Sequence, residues 1–237
     1  PYQLTLYRLD PSTLRPASWR HLGRGYRLTL SADPESPQDI LAATGGALLE
    51  VQAPSLATRV VASFTKAVVQ HVAVESGSPD VAVSLLSPAE PGSAEDASIE
   101  TIDLETGGLV ATYNLPAAAD PESIAFAGGR LWASVGQGLS TQVMRLSLPG
   151  LLLVAPGRPV TTGLETISLA VSGDVVWMYG LTFLECATAA GGREAASAVI
   201  KSPPAAAVLE VTSNGQQAYV VTEAGIGTVP IPSGCTA

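Results

Sequence analysis

The sequence has little charge, little of it positive, and no long apolar run. Charged residues make up 14% of its 237 residues, below the roughly 25% of an ordinary globular domain. With 12 Lys and Arg against 21 Asp and Glu, the formal charge of −9 argues against nucleic acid or an anionic membrane surface as the main partner. Because no uninterrupted apolar stretch approaches the ~18 residues of a membrane-spanning helix, no membrane span is predicted.

Cysteine is also scarce, and the two cysteines do not form a metal-site pattern. Cys186 and Cys235 each lie in a segment rich in Gly, Ser, Thr and Ala, with no CxxC or Cys/His spacing that would suit zinc. An even count is compatible with one disulfide, which forms in oxidising compartments. Together with the low lysine content, this predicts a disulfide-bonded protein outside the cytoplasm, secreted or on the cell surface.

Signatures of common enzyme sites are missing as well. The chain contains no GxSxG elbow, P-loop, HExxH motif or GxGxxG turn opening a helix, and no haem or iron–sulfur spacing. The 23 Gly and 18 Pro are spread along the chain, which excludes collagen, coiled coil and a disordered acidic tail. What remains is a turn-rich globular protein for which a binding role is favoured over an enzymatic one.

The main positive signal is an internal repeat with a period of about 44 residues. In each copy an alternating apolar run ends in a turn of Pro, Gly, Ser or Thr, and a second apolar run follows. The last apolar residues before the turn in six successive copies, the fifth of them degenerate, are Leu9, Val51, Ile102, Leu146, Leu184 and Val229. Between these copies, apolar runs are joined by short Gly-containing turns typical of β-hairpins, as in SIAFAGGRLWASVG (123–136) and TISLAVSGDVVWMYG (166–180).

Each period holds four short strands and no helix, which predicts an all-β fold of four-stranded antiparallel β-propeller blades. A β-sandwich would not repeat every four strands, and a β-helix would have a shorter period. Trp132, Trp177 and Tyr219 occupy equivalent places in the second strands, so we interpret them as packing between repeats.

The prediction is a single propeller domain over residues 1–237 that begins and ends at the third strand of a blade. Because a propeller ring must close, we expect upstream sequence to be missing and the ring to have six or seven blades, the first of them incomplete in this chain. The alternative is a five-bladed ring in which residues 1–25 complete the last blade.

The repeat resembles that of bacterial propellers of the surface-layer, YVTN-like and quinoprotein-like type. The resemblance is carried by LYRLDPSTL (6–14), IETIDLETGGLVATYNLP (99–116) and ESIAFAGGRLWASVG (122–136). It covers most of the chain but concerns the repeat pattern and not a functional motif. It therefore implies the propeller fold and says little about activity.

Residues just before each innermost strand are expected to line the mouth of the central channel, which makes Gln70, Glu122 and Glu165 candidate ligands there. His71, near the start of a predicted innermost strand, is the fourth candidate. Carboxylate and amide oxygens suit a hard cation such as calcium, or an amine ligand, and a histidine there could act as an acid or base. The simpler alternative is that the carboxylates are solvated loop acids and that the histidine is structural. No other cofactor is predicted.

Three functions follow from these observations. The favoured one is a binding or scaffold module that recognises a protein, peptide or glycan partner through its channel-mouth face. The second is a propeller enzyme, a lyase, lactonase or quinoprotein-like dehydrogenase, with a metal or acid/base site at the channel. The third is a structural subunit of a surface assembly, suggested by the apolar content of 46%.

Overall fold

The computed structural model describes residues 2–10, 12–13, 15–25, 28–32, 39–53, 55–75, 77–87, 96–138, 140–162, 168–180, 183–189, 194–199, 206–211, 218–222 and 225–229. These residues form 21 β-strands, so the predicted all-β class is confirmed. Within these ranges there is no helix with the length and hydropathy needed to cross a bilayer.

The first of two compact units, residues 1–118, contains three antiparallel sheets. Sheet 1 is made of β1 (Tyr2–Leu9) and β2 (Pro16–Gly25). Sheet 2 is made of β3 (Leu28–Ala32), β4 (Asp39–Thr44), β5 (Ala47–Gln52) and β6 (Ala57–Ser63). Sheet 3 is made of β7 (Val68–Val74), β8 (Asp80–Ser87), β9 (Asp96–Asp103) and β10 (Leu109–Asn114).

The second unit, residues 119–237, contains three more antiparallel sheets. Sheet 4 is made of β11 (Ala119–Ala127), β12 (Arg130–Gln137), β13 (Ser140–Ser147) and β14 (Leu152–Thr162). Sheet 5 is made of β15 (Ser168–Ser172), β16 (Val175–Tyr179), β17 (Phe183–Thr188) and β18 (Glu194–Val199). Sheet 6 is made of β19 (Ala206–Val211), β20 (Ala218–Thr222) and β21 (Gly225–Val229).

Every sheet is an up-and-down meander in which strands adjacent in sequence are adjacent in space. The first strands of successive sheets lie side by side within each unit, β3 beside β7 and β11 beside β15, so the first strand is the inner one and the fourth is the outer one. Sheet 1 has two described strands and sheet 6 has three. That the chain begins and ends at the third strand of a blade stays a prediction.

The apolar faces of the sheets are buried against neighbouring sheets of the same unit. Along β4, Leu41 and Ala43 pack with Val81 of sheet 3, whereas Ala42 packs with Leu6 of sheet 1. Side chains alternate between the two faces of a strand, so one strand supplies two interfaces. Each fully buried side chain of this kind contributes roughly 1.5–3 kcal/mol, and the sheets depend on each other for it.

In the second unit, the tryptophans that recur in the repeat serve this packing. Trp132 and Trp177 are each the third residue of their strand, opposite Ala125 and Ala170 on the inner strand. Trp132 is buried against sheet 5, and Trp177 is fully buried on the strand face opposite Val176. Tyr219 lies on β20, and its side chain is outside the described part.

One element of the predicted repeat is out of register. Leu184 was predicted to end the third strand of the fifth copy, but it is the second residue of β17. Ala187, which faces Val176, holds the place that Leu146 holds opposite Leu131 in sheet 4. At this position the fifth copy has a small residue, Ala187, where the other copies have Leu, Ile or Val. A search for a large apolar residue therefore aligns Leu184 in its place.

In three sheets a residue at or near the end of the turn between the third and fourth strands has a left-handed backbone: Leu56, Gly107 and Leu151, with φ of 57°, 69° and 49°. In the first two of these turns its amide N–H donates to the carbonyl four residues earlier, at 2.7 Å from Leu56 to Gln52 and 2.8 Å from Gly107 to Asp103. The turn before Leu151 instead contains a cis peptide bond between Leu148 and Pro149. A left-handed leucine costs about 1–2 kcal/mol, and complete burial of its side chain offsets that cost.

Gly107 is needed for a second reason, which gives the first prediction. A Cβ at this position would lie 2.1 Å from the carbonyl oxygen of Val61 on sheet 2. Gly107→Ala should therefore destabilise the protein by about 2 kcal/mol or more, because it adds a clash between sheets to the left-handed backbone cost. The free energy of unfolding in urea measures this.

Gly77→Ala is the matched control for this prediction. Gly77 also has a positive φ of 79°, but nothing lies within 4 Å of its added Cβ. Gly77→Ala should lower the free energy of unfolding by about 1 kcal/mol only, which is the cost of holding an alanine in the left-handed backbone conformation. Equal losses in the two variants would show that the approach of the turn to sheet 2 is unimportant.

Candidate functional site

Gln70, predicted just before the inner strand of sheet 3, lies on that strand, β7. His71, predicted near the start of the strand, lies on it as well. The pairing of β7 with β8 shifts register between Val69 and His71, so Gln70 is the extra residue of a β-bulge. The backbone carbonyl of Gln70 accepts a hydrogen bond of 2.9 Å from the hydroxyl of Thr29 on β3, the inner strand of sheet 2. Both Gln70 and His71 are partly buried.

Glu122 occupies the same kind of position on β11, the inner strand of sheet 4. The register with β12 shifts between Pro121 and Ser123, so Glu122 is again the extra residue of a bulge. The Thr141 hydroxyl donates to its Oε1 at 3.4 Å. A Cβ added at Gly136 would lie 2.7 Å from this oxygen, so the glycine leaves the space that the carboxylate fills.

The bulge recurs a third time, at Ala207 in β19, where the register with β20 shifts between Ala206 and Val208. Three inner strands therefore place one extra residue near their amino end. The inner strands begin three or four residues earlier than predicted, at Val68 and Ala119, because the chain continues to pair on both sides of the bulge. Bulges re-aim side chains and are common near functional sites.

Two of the predicted residues fall outside the described part of the chain: Glu165, the fourth candidate ligand, and Cys235, the predicted disulfide partner. Cys186 is described, fully buried on β17 opposite Trp177. Its pairing with Cys235 stays a prediction.

Two hydroxyls that sequence inspection missed hold the inner strands together. Thr29 donates to Gln70 as described above, and in the second unit the backbone N–H of Leu169 on β15 donates to Ser123 Oγ on β11, at 3.1 Å. Ser123 directly follows the bulged Glu122. No signal in the sequence alone singles out either hydroxyl, because both strands contain other polar residues, Ser31 in β3 and Asp120 in β11.

The candidate ligands are divided between the two units. Gln70 and His71 are adjacent on β7 in the first unit, and Glu122 is in the second. Across the described ranges there is no group of three or more His, Cys, Asp or Glu placed to hold a metal ion. The adjacent amide and imidazole, and separately the carboxylate beside the Thr141 hydroxyl, offer hydrogen-bond donors and acceptors to a ligand.

At the opposite end of sheet 3, two carboxylates face each other across β8 and β9. Burial and, second, the charge of Asp103 raise the pKa of Asp80, its cross-strand neighbour. Hydrogen bonds from the hydroxyl and backbone N–H of Thr106 lower the pKa of Asp103. Asp10 accepts the same kind of bonds from Ser12 and Thr13, which lower its pKa to about 2.

Asp80→Asn should make the protein more stable at neutral pH. The pKa of Asp80 is higher in the folded than in the unfolded chain, so its ionisation costs folding free energy above the folded pKa and nothing well below the usual value. The gain should therefore be full at pH 7 and vanish as the pH falls below about 3.8. Unfolding in urea at a series of pH values measures it.

Asp103→Ala is the matched control and should have the opposite sign. Its carboxylate has a lowered pKa, so the stability it provides is present above the usual value and is lost as the pH falls through the folded pKa. If Asp80→Asn brings no gain at pH 7, the pair does not repel in the folded protein.

Comparison with known proteins finds the fold and no family. No protein-family model matches the chain, and no curated protein sequence matches it. Hydrazine synthase from Kuenenia stuttgartiensis aligns with a TM-score of 0.65 at 9% identity, over 84% of this chain and 70% of that one. A chain of the nidogen/laminin complex aligns with a TM-score of 0.64 at 10% identity, over 97% and 86%.

The Cps50 (Swd1) β-propeller domain from Myceliophteria thermophila aligns with a TM-score of 0.59 at 13% identity, over 85% of this chain and 64% of that one. The described four-stranded antiparallel sheets and these neighbours together identify a β-propeller fold, so the predicted fold class is confirmed. At such low identity the similarity concerns the fold alone. Membership of the YVTN-like family remains a prediction.

Proposed function

We propose that this β-propeller is a recognition module outside the cytoplasm, which binds a protein, peptide or glycan partner through its channel-mouth face. In a propeller that face carries the amino ends of the inner strands. In this role the repeated sheets hold a set of different side chains in fixed positions.

The observation that carries the proposal is the β-bulge that recurs in three inner strands. The described side chains at this backbone position are an amide at Gln70 and a carboxylate at Glu122, and the third bulge places residue 207 at the same point of its strand. Residues that only pack between sheets keep one character at equivalent positions, as Trp132 and Trp177 do. Different chemistry at one repeated position is typical of a surface that reads a partner.

The support of these side chains also favours binding. The Thr141 hydroxyl holds the Glu122 carboxylate, and the Thr29 hydroxyl holds the backbone of the bulge at Gln70, so this carboxylate and this stretch of backbone are in place before a partner arrives. Preorganised groups lose less entropy on binding. One structural neighbour belongs to a complex of two proteins, nidogen and laminin, which is consistent with a propeller that serves as a binding module.

A photocrosslinking experiment tests the proposal. Gln70→p-benzoylphenylalanine places the crosslinker at the proposed face, and Ser78→p-benzoylphenylalanine places it in the turn at the other end of the same strand. Incubated with the envelope fraction of the cells that make the protein, the first variant should yield a discrete crosslinked species and the second should not. Unchanged melting temperatures would confirm that both variants are folded.

The same crosslinked species from both positions, or none from Gln70, would contradict a partner at this face. A crosslink that Glu122→Gln abolishes in the Gln70 variant would mean that binding of the same partner also depends on Glu122. Glu122→Gln keeps the shape of the side chain and removes its charge, so a loss would assign the effect to the carboxylate.

The proposed location outside the cytoplasm requires that Cys186 and Cys235 be oxidised. We expect no free thiol in the native protein, two thiols after reduction, and a loss of about 2–4 kcal/mol of unfolding free energy in the Cys235→Ser variant. Thiol titration under denaturing conditions and unfolding in urea measure these. Two reactive thiols in the unreduced protein would contradict the disulfide.

A further inference from the structure

The outer edge of sheet 3 lacks the features that keep other outer strands from pairing. β10 has the sequence LVATYN and, among the described strands, pairs only with β9. It contains neither proline nor a charged residue. The other outer strands do contain them: Pro16, Arg20 and Arg24 in β2, Arg59 in β6, Pro156 and Pro159 in β14, and Glu194 in β18. Such residues protect an exposed edge from pairing with another chain.

β10 also exposes apolar side chains that an added strand could cover. Leu109 is 60% exposed and Val110 is 44% exposed. A register shift at Val110 places a bulge at the start of the strand, and residues 111–114 then pair with β9 in regular register. The regular stretch offers backbone hydrogen-bonding groups, and the two apolar residues beside it offer contact area.

The edge lies on a strongly acidic sheet. Residues 68–114 include eight Asp and Glu and no Lys or Arg. Glu100 faces Thr112 across β9 and β10, and it is partly buried. Within the described residues Glu100 has no hydrogen bond and no ion pair, and burial raises its pKa. A partly buried carboxylate beside an open edge favours a cation from outside the chain.

Charge decides between the two occupants that an open edge can take. A second copy of the chain, pairing β10 with β10, would bring two acidic sheets together, and like charges in close contact disfavour such pairing. A basic segment of another protein gains attraction from the same surface. We propose that β10 binds an extended segment of a partner protein by strand addition, with a Lys or Arg of that segment placed against Glu100.

This inference does not depend on the channel-mouth site, because β10 is the outer strand of its sheet and the bulged residues lie on inner strands. Failure of either proposal leaves the other intact. Among the described strands, sheet 3 has four, and β10 is at its outer edge.

The probe is a fluorescein-labelled peptide, Lys-Val-Thr-Val-Lys-Val, whose binding is followed by fluorescence anisotropy. It should bind the wild-type chain saturably. Val110→Lys should weaken binding about tenfold or more, because it places a positive charge at the edge, where it repels the lysines of the peptide. Val60→Lys is the matched control, since Val60 is 59% exposed on β6, the outer strand of sheet 2, and should leave binding unchanged.

Two further measurements assign the contact. Glu100→Gln should weaken the basic peptide several-fold and should leave an uncharged peptide, Gln-Val-Thr-Val-Gln-Val, unaffected. Amide hydrogen exchange should slow in residues 111–114 when the basic peptide is bound, and not in β6. Thermal melting confirms that each variant is folded.

Three outcomes would overturn the proposal. If the basic peptide binds Val110→Lys and Val60→Lys equally, it is attracted to the acidic protein in general and not to β10. If it does not bind the wild-type chain saturably, β10 does not accept an added strand. Self-association of the wild-type chain that Val110→Lys abolishes, seen by sedimentation, would make a second copy the occupant.

Discussion

The structure depends on one constraint: a four-stranded sheet of this size cannot bury its own faces. Leu41 and Ala42, neighbours on β4, pack against different sheets, so a single strand contributes to two interfaces. Stability is thus a property of stacked sheets and not of any one of them. In the second unit, Trp132 of sheet 4 is likewise buried against residues of sheet 5. Because the faces are committed to packing, chemistry is left to the strand ends, the turns and the outer edges.

The strand ends use backbone geometry to present side chains. A bulge adds one residue to an inner strand without breaking its pairing, so a residue such as Glu122 is set apart from the packed faces. Hydroxyls of Thr29 and Ser123 then join inner strands of neighbouring sheets. The same region of the fold thereby combines rigidity with positions at which the side chain is free to vary, and recognition needs both.

Charge is distributed unevenly over the sheets. Sheet 1 and its turn carry four described arginines, Arg8, Arg15, Arg20 and Arg24, against Asp10, whereas residues 68–114 of sheet 3 carry no Lys or Arg. Arg59 of sheet 2 reaches both Glu50 and the backbone carbonyl of Leu104 on sheet 3, and so ties the two sheets at their outer side. The outer strand of this acidic sheet, β10, contains no charged residue and, among the described strands, pairs only with β9.

The amino-acid sequence by itself determined the all-β class and the four-strand period, because alternating apolar runs and short Gly turns are local signals. It also singled out Gln70 and Glu122 as candidates. It did not reveal that these residues are bulged, that Ala187 and not Leu184 is in register, or that Thr29 bonds to Gln70. Only the tertiary structure decided these points, since register and contacts between sheets depend on residues far apart in the chain.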